Sequence, residues 1–303
     1  MRALVIGYGS IGALHARLLT ELGCATAVVS RRPVDFSIVY PEIGSALCGH
    51  QPDYVVIANS TNQHHETLSI LVVSGFSGRV LVEKPLFGHS LSLPANGFRS
   101  VSVAYNLRFH PLMQRLRDLV IGEAIFSVQA YVGQYLPDWR PGTDYRQSYS
   151  ASAGRGGGAL RDLSHELDYL CWLFGNWKAV TALGGHVSPL EIDSDDLFSV
   201  LMRTERCPVV SVQVSYLDRV ARRRIVVNTR HHTIEADLVG GTLAIDGKME
   251  SVIVERDHSY REMHRAVLNG DFSSLCAVEE GLATLHLIEV IECANRQNEW
   301  ITQ

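Results

Sequence analysis

The sequence predicts an α/β protein in two parts: an N-terminal doubly wound parallel sheet, then an α+β part with a large, mainly antiparallel sheet. Three observations carry this. A short apolar run at Ala3–Ile6 leads through Gly7, Gly9 and Gly12 into an amphipathic pattern over Ile11–Leu22. Strand and helix signals then alternate through the first hundred residues, the mark of a parallel sheet covered on both faces. From residue 122 the rhythm changes to period-two segments with few helices between them, the mark of antiparallel strands. A length of 303 residues suits two ordinary domains, with the boundary expected after residue 104, giving 1–104 and 105–303.

In order, the expected strands of the first part are Ala3–Ile6, Ala25–Ser30, Asp53–Ala58, Arg79–Glu83 and Val101–Tyr105, with a helix at His64–Ser74. Asn106–Pro111 reads as the crossing into the second part. There Ala124–Tyr135 alternates, Leu136–Gly158 is a polar and aromatic loop, and a helix is expected over Leu160–Phe174. Strands follow at Ala179–His186, Leu197–Thr204, Val209–Leu217, Arg224–Thr229, Thr233–Leu238 and Val252–Arg256, with turn signals at Gly240-Gly241 and Asp246-Gly247. Helices at Ser259–Asn269 and Val278–Arg296 close the chain.

Composition excludes several classes. Hydrophobic residues at 46% and charged residues at 19% allow a full core without a large disordered region. A net charge of −5 gives no general reason to bind nucleic acid or an anionic membrane. No apolar run approaches the roughly 20 residues that span a bilayer, and the N-terminal segment lacks the form of a signal peptide. The six cysteines have neither C-x-x-C pairing nor metal spacing, so they read as reduced core residues of a cytoplasmic protein with no metal.

The glycine turn is the most informative feature. Gly7-Tyr8-Gly9-Ser10-Ile11-Gly12 has the spacing G-x-G-x-x-G between a strand and a helix. Gly7 permits the tight turn, Gly9 admits a pyrophosphate against the backbone, and Gly12 allows close packing of helix on strand. The helix N-terminus then offers free N–H groups to phosphate. This predicts a Rossmann-type domain binding a nicotinamide dinucleotide. The second strand ends in Ser30-Arg31-Arg32, where an NAD site usually carries Asp or Glu. A hydroxyl and two guanidiniums favour NADP, with NAD possible; the alternative is a solvated pair of arginines.

Further residues carry chemistry. Glu83-Lys84-Pro85 ends the fourth strand, where ligands of open α/β sheets bind. An ammonium there stabilises the oxyanion-like charge of hydride transfer; the alternative is a surface lysine at a strand end. In Gly156–Asp168, Asp162 and His165 stand three apart, as do His165 and Asp168, so one helical face presents a His beside carboxylates, an arrangement suited to a general base and, taken alone, more often structural. The loop 134–149 supplies Tyr135, Trp139, Arg140, Tyr145 and Arg146, aromatics to stack on a ring and arginines to grip an anion, or else an ordinary loop over a sheet edge.

Taken together, the glycine turn, Glu83-Lys84-Pro85, Asn62-Gln63-His64, Tyr105–Pro111, the Gly156–Asp168 segment and Gly281-Leu282 resemble the glucose–fructose oxidoreductase/inositol dehydrogenase (Gfo/Idh/MocA) family over most of the chain. The resemblance implies a Rossmann domain followed by an α/β domain with an open sheet, often an oligomer through that sheet (a dimer or tetramer), and reversible oxidation of a sugar-like alcohol. By it, Lys84 assists proton transfer, His165 is the general base and Asp162 its partner. One departure stands out: the family more often places that Asp and His four apart with a glycine between, whereas here they are three apart and Ser164 precedes the His.

Expected cofactor contacts are Gly7, Tyr8, Gly9, Ser10, Ile11, Gly12, Ser30, Arg31, Arg32, Asn59, Ser60, Thr61, His64, Glu83, Lys84 and Pro85. Expected substrate contacts are Arg108, Tyr135, Trp139, Arg140, Tyr145, Arg146, Asp162 and His165. The activity expected is hydride transfer between NADP and a sugar, sugar acid or nucleotide sugar. The rival readings are reduction of an imine or tetrapyrrole, and a sensor that binds NADP without turnover.

Overall fold

A computed structural model describes all residues, Met1–Gln303. Along the chain come β1 (Arg2–Ile6), α1 (Ser10–Glu21), β2 (Ala25–Val29), β3 (Val39–Tyr40), α2 (Ile43–His50), β4 (Tyr54–Ile57), α3 (His64–Val73), β5 (Arg79–Val82) and β6 (Ser100–Val103). Next are α4 (Pro111–Val120), β7 (Ile125–Gly133), α5 (Ala159–Asp162), α6 (His165–Phe174), β8 (Trp177–Gly185), β9 (Leu197–Thr204), β10 (Val210–Ser215), β11 (Arg222–Thr229), β12 (Thr233–Asp237), β13 (Thr242–Ile245) and β14 (Lys248–Ser251). The chain ends with α7 (His258–Asn269), β15 (Cys276–Ala277), α8 (Val278–Gln297) and β16 (Ile301–Thr302). No helix is long and apolar enough to cross a membrane, and all six cysteines are free thiols.

Two compact units result: Met1–Phe109 with Asp257–Leu285, and His110–Arg256 with His286–Gln303. Beside the sequence boundary after 104, residues 105–109 and 257–285 thus fall in the first unit. The cause is packing: Met263, Ala266 and Val267 of α7 share a buried cluster with Ala3, Val5, Ala16 and Leu19, and β15 pairs antiparallel with β6.

The sheet of the first unit has the order β15-β6-β5-β4-β1-β2-β3 and is parallel except for β15. Its central strands read as continuous apolar runs because both faces are covered. Leu4 and Ile6 join Val55, Ile57, Val80 and Val82 on one side, while Ala3 and Val5 join Tyr54 and Val56 on the other.

The sheet of the second unit has nine strands in the order β14-β13-β12-β11-β7-β10-β9-β8-β16. Every pairing is antiparallel except β7 with β10.

Two sequence expectations need correction. The helix expected over Leu160–Phe174 is two helices, α5 and α6, broken at Leu163-Ser164. Polar ties set the first of them: the Leu160 N–H donates to the Asp195 carboxylate at 2.8 Å, and Asp162 is gripped from two sides, as described below. These fix a single turn independently of the apolar stripe that continues through α6. The strand expected at Val252–Arg256 is absent. The pairing goes instead to the hairpin of β13 and β14, whose turn residues Asp246 (φ 49°) and Gly247 (φ 78°) both take the left-handed conformation a two-residue hairpin prefers. Ile253, beyond that hairpin, is fully exposed and has no face to pack on.

Candidate functional site

In the first unit the glycine turn divides its labour. Gly7 adopts φ 97°, and a Cβ there would overlap the backbone of Ala58 and Asn59; a Cβ on Gly12 would overlap the Gly7 carbonyl oxygen. Gly9 faces open space. The α1 helix that follows has no side-chain cap on its first N–H groups and no acidic residue in its first turn. These residues fit a dinucleotide pyrophosphate: two glycines pack the turn, and the third leaves a cradle beside unpaired N–H donors. Tyr8 flanks the turn, donating from its hydroxyl to the Asp35 carbonyl at 3.2 Å and lying 5.8 Å from the Phe36 ring. Ser30 Oγ donates to the Arg32 carbonyl at 2.8 Å and accepts from the Arg32 N–H, so β2 ends in a fixed turn with Arg31 and Arg32 exposed.

The ends of β4 and β5 are tied together. Asn59 donates to Thr67 Oγ1 at 2.9 Å, next to Ser60 and to Thr61 in a short 3-10 turn. The His64 ring lies between the carbonyl oxygens of Leu86 (3.0 Å) and Asn59 (3.2 Å), and burial lowers its pKa, opposed by those carbonyls. The Lys84–Pro85 peptide is cis. Glu83 accepts the Lys84 backbone N–H on one carboxylate oxygen (3.2 Å) and meets His15 Nε2 with the other (2.8 Å).

That carboxylate begins a buried chain absent from the sequence reading. His15 Nδ1 meets His264 Nε2 at 2.8 Å, and His264 Nδ1 meets the Tyr54 hydroxyl at 3.0 Å. Burial first and the His15 charge second hold His264 well below the ordinary histidine range. α1, β4, the end of β5 and α7 are thereby linked. The available signal was the polar residue His15 on the apolar face of α1; its partner lies 249 positions away.

Arg108, expected to touch substrate, is 2% exposed and donates to Glu280 of α8 at 2.9 Å and to the Leu275 carbonyl.

In the second unit His165 opens α6, with Asp168 one turn on; both are buried. Asp162 ends α5 and accepts the hydroxyls of Tyr149 and Tyr216, each at 2.6 Å and each on its own oxygen. Neither tyrosine was among the expected site residues. Glu166 is fully buried and takes Arg223 Nε at 2.9 Å. Burial pushes the Asp195 carboxyl up to about 6, against the Leu160 N–H and Arg161. In the loop, Tyr135 lies under Arg219 at 3.5 Å, Trp139 edge-on to Tyr216 at 5.1 Å, and Arg140 6.0 Å over Tyr149 with no carboxylate partner. Arg146 is already engaged: two hydrogen bonds reach Asp144 and one Glu191, which raises its pKa and lowers that of Asp144. The Tyr145 hydroxyl accepts the Glu191 N–H at 3.2 Å.

Fold and side chains together define a class: a Rossmann-type unit joined in one chain to a unit built on a nine-stranded, mostly antiparallel sheet. Residues 112–235 match the family model described as the GFO/IDH/MocA C-terminal domain. That match falls within the second unit and agrees with the family likeness carried by the motifs.

Similar solved structures include GenD2 from gentamicin A biosynthesis in complex with NAD, 21% identical, covering 100% of this chain and 96% of that one with a TM-score of 0.82. The WlbA dehydrogenase from Bordetella pertussis, in complex with NADH and UDP-GlcNAcA, is 20% identical over 100% and 98% of the two chains, with a TM-score of 0.81. UDP-N-acetylglucosamine 3-dehydrogenase GnnA from Acidithiobacillus ferrooxidans is 20% identical over 97% of each, with a TM-score of 0.78. At these identities the likeness establishes the fold. No curated protein sequence matches the chain.

Proposed function

We propose that this protein is an NADP-dependent oxidoreductase acting on a hydroxyl or keto group of a sugar, sugar acid or nucleotide sugar. The observation that carries the reading is the turn in which Gly7 and Gly12 are packed while Gly9 stands open at an uncapped helix N-terminus. Similar structures bound to NAD or NADH, one also to a nucleotide sugar, support the same class. NADP is favoured over NAD because β2 ends in Ser30, Arg31 and Arg32, with two exposed guanidiniums and no carboxylate at the place of the ribose 2′-hydroxyl.

When bound, the nicotinamide supplies the acceptor or donor of hydride. Lys84, with its backbone held by Glu83, hydrogen-bonds the reacting oxygen and stabilises its developing charge. His165 takes the hydroxyl proton in the oxidative direction. Asn59, Ser60, Thr61 and His64 shape the edge where the cofactor lies. Tyr135, Trp139 and Arg140 contact substrate.

Titration of the purified protein with NADPH and NADH, monitored by fluorescence and repeated with nucleotide sugars and sugar acids, tests this. NADPH is expected to bind more tightly than NADH, and the preference to vanish in the double variant Arg31→Ala, Arg32→Ala. Lys84→Ala is expected to retain nucleotide affinity and lose turnover by about 100-fold or more. Nucleotide binding without turnover on any substrate would favour the sensor. Binding of neither nucleotide would overturn the proposal.

A further inference from the structure

Asp162 is 4% exposed, and both its oxygens are occupied by phenolic donors. The two tyrosines come from different places. Tyr216 directly follows β10 and is held by the sheet, its N–H donating to the Asp196 carbonyl and its carbonyl accepting the Leu136 N–H. Tyr149 closes the 134–149 loop. Burial first, then the Asp162 charge, push both phenols well above their ordinary range, so both remain donors.

The same two rings are those on which the loop packs: Trp139 against Tyr216, and Arg140 over Tyr149. Backbone bonds from Gln134 and Leu136 fix the start of the loop on β10, but its other side-chain hydrogen bonds to the rest of the unit lie at the surface, where Arg146 and Tyr145 meet Glu191. Exposed pairs hold little, whereas buried hydrogen bonds to a carboxylate hold much more, so the inner clamp decides where the loop sits.

We propose that Asp162 is the anchor of the 134–149 loop: a positioning residue that, through Tyr149 and Tyr216, fixes Trp139 and Arg140 for recognition of an anionic, ring-bearing substrate. The substrate consequence rests on the oxidoreductase reading above; the clamp itself does not. Asp162 acts here through the loop, a task separate from partnering His165.

The test compares wild type with Tyr149→Phe, Tyr216→Phe, Asp162→Asn and Glu191→Ala, by hydrogen exchange of loop peptides and by Trp139 emission against a Trp139→Phe blank. Loop exchange is expected to rise about tenfold or more in Tyr149→Phe and Asp162→Asn, and little in Glu191→Ala. Trp139 emission is expected to shift in Tyr216→Phe and Asp162→Asn, a local signal that a uniform loss of stability does not produce. Combining Tyr149→Phe with Asp162→Asn is expected to add little to Asp162→Asn alone. Should Asp162→Asn fail to fold, the tyrosine variants decide. Folded variants with unchanged loop exchange and Trp139 emission would overturn the anchor. Because no arm measures turnover, failure of the oxidoreductase reading would show separately, in the nucleotide titration.

Discussion

At the scale of single residues, the three glycines of the first turn separate packing from binding. Gly12→Ala is expected to destabilise the protein by about 1–3 kcal/mol, since its methyl has only the Gly7 carbonyl to displace. Gly9→Ala, at φ −83° with open space ahead, is expected to leave the melting temperature nearly unchanged while nucleotide affinity falls at least tenfold. Equal losses of stability in the two variants would refute this division. Asp195 gives a pH signature. Its folded pKa of about 6 lies above the unfolded 3.8, so the folded state binds more protons than the unfolded between those values. Its contribution is therefore complete below about pH 4 and is lost as pH rises through about 6, on the order of 3 kcal/mol in all. Asp195→Asn keeps an acceptor for the Leu160 N–H and is expected to flatten that slope in denaturation curves taken from pH 4 to 8. Parallel curves for variant and wild type would refute the assignment. The glycine turn was legible because its chemistry lies within six consecutive residues. The His15–His264–Tyr54 chain and the Tyr149–Asp162–Tyr216 clamp were not, since each joins polar residues brought together only by tertiary packing.

At the scale of elements, apolar periodicity read most strands of both sheets, because burial on one or two faces writes itself directly into the pattern. It failed where polar ties overrule the pattern. The apolar face of Leu163, Leu167, Leu170, Leu173 and Phe174 suggests one helix, yet α5, tied at Leu160 and Asp162, ends at Asp162 and α6 starts anew at His165. It failed again at Val252–Arg256, where alternation without a neighbouring strand makes no sheet. Docking of α6 also has a polar component, the buried Glu166 with Arg223 of β11. Arg223→Met is expected to cost about 3–5 kcal/mol by urea denaturation because it leaves the Glu166 carboxylate in the interior, and Glu166→Ala less, because Arg223 keeps contact with solvent. The double variant Glu166→Met, Arg223→Met is expected to cost clearly less than the sum of the two. Strict additivity would mean that the residues act independently.

At the scale of the whole molecule, the nine-stranded sheet leaves one surface unaccounted for. Alternation along β7, β8 and β9 buries Val128, Ala130, Val180, Ala182, Val200 and Met202, while Leu183 and Leu201 point the other way and are about half exposed or more. Gln129, Ser199, Ser211 and Gln213 lie among them around a shallow depression of about 410 Å³ whose lining carries no charged side chain. Exposed apolar side chains gathered on a sheet face mark contact surfaces, and a face with an uncharged depression at its centre suits a second copy of itself through a two-fold axis. The family resemblance leads to the same expectation of a dimer or tetramer through this sheet. In sedimentation experiments wild type is expected to run as an oligomer, and Leu183→Asp with Leu201→Asp to shift it to monomer. Because both side chains are solvent-facing in the single chain, the monomer is expected to keep its secondary structure and its nucleotide affinity, the first unit being untouched. A wild-type monomer, or an oligomer indifferent to both aspartates, would show that the apolar face serves some other contact.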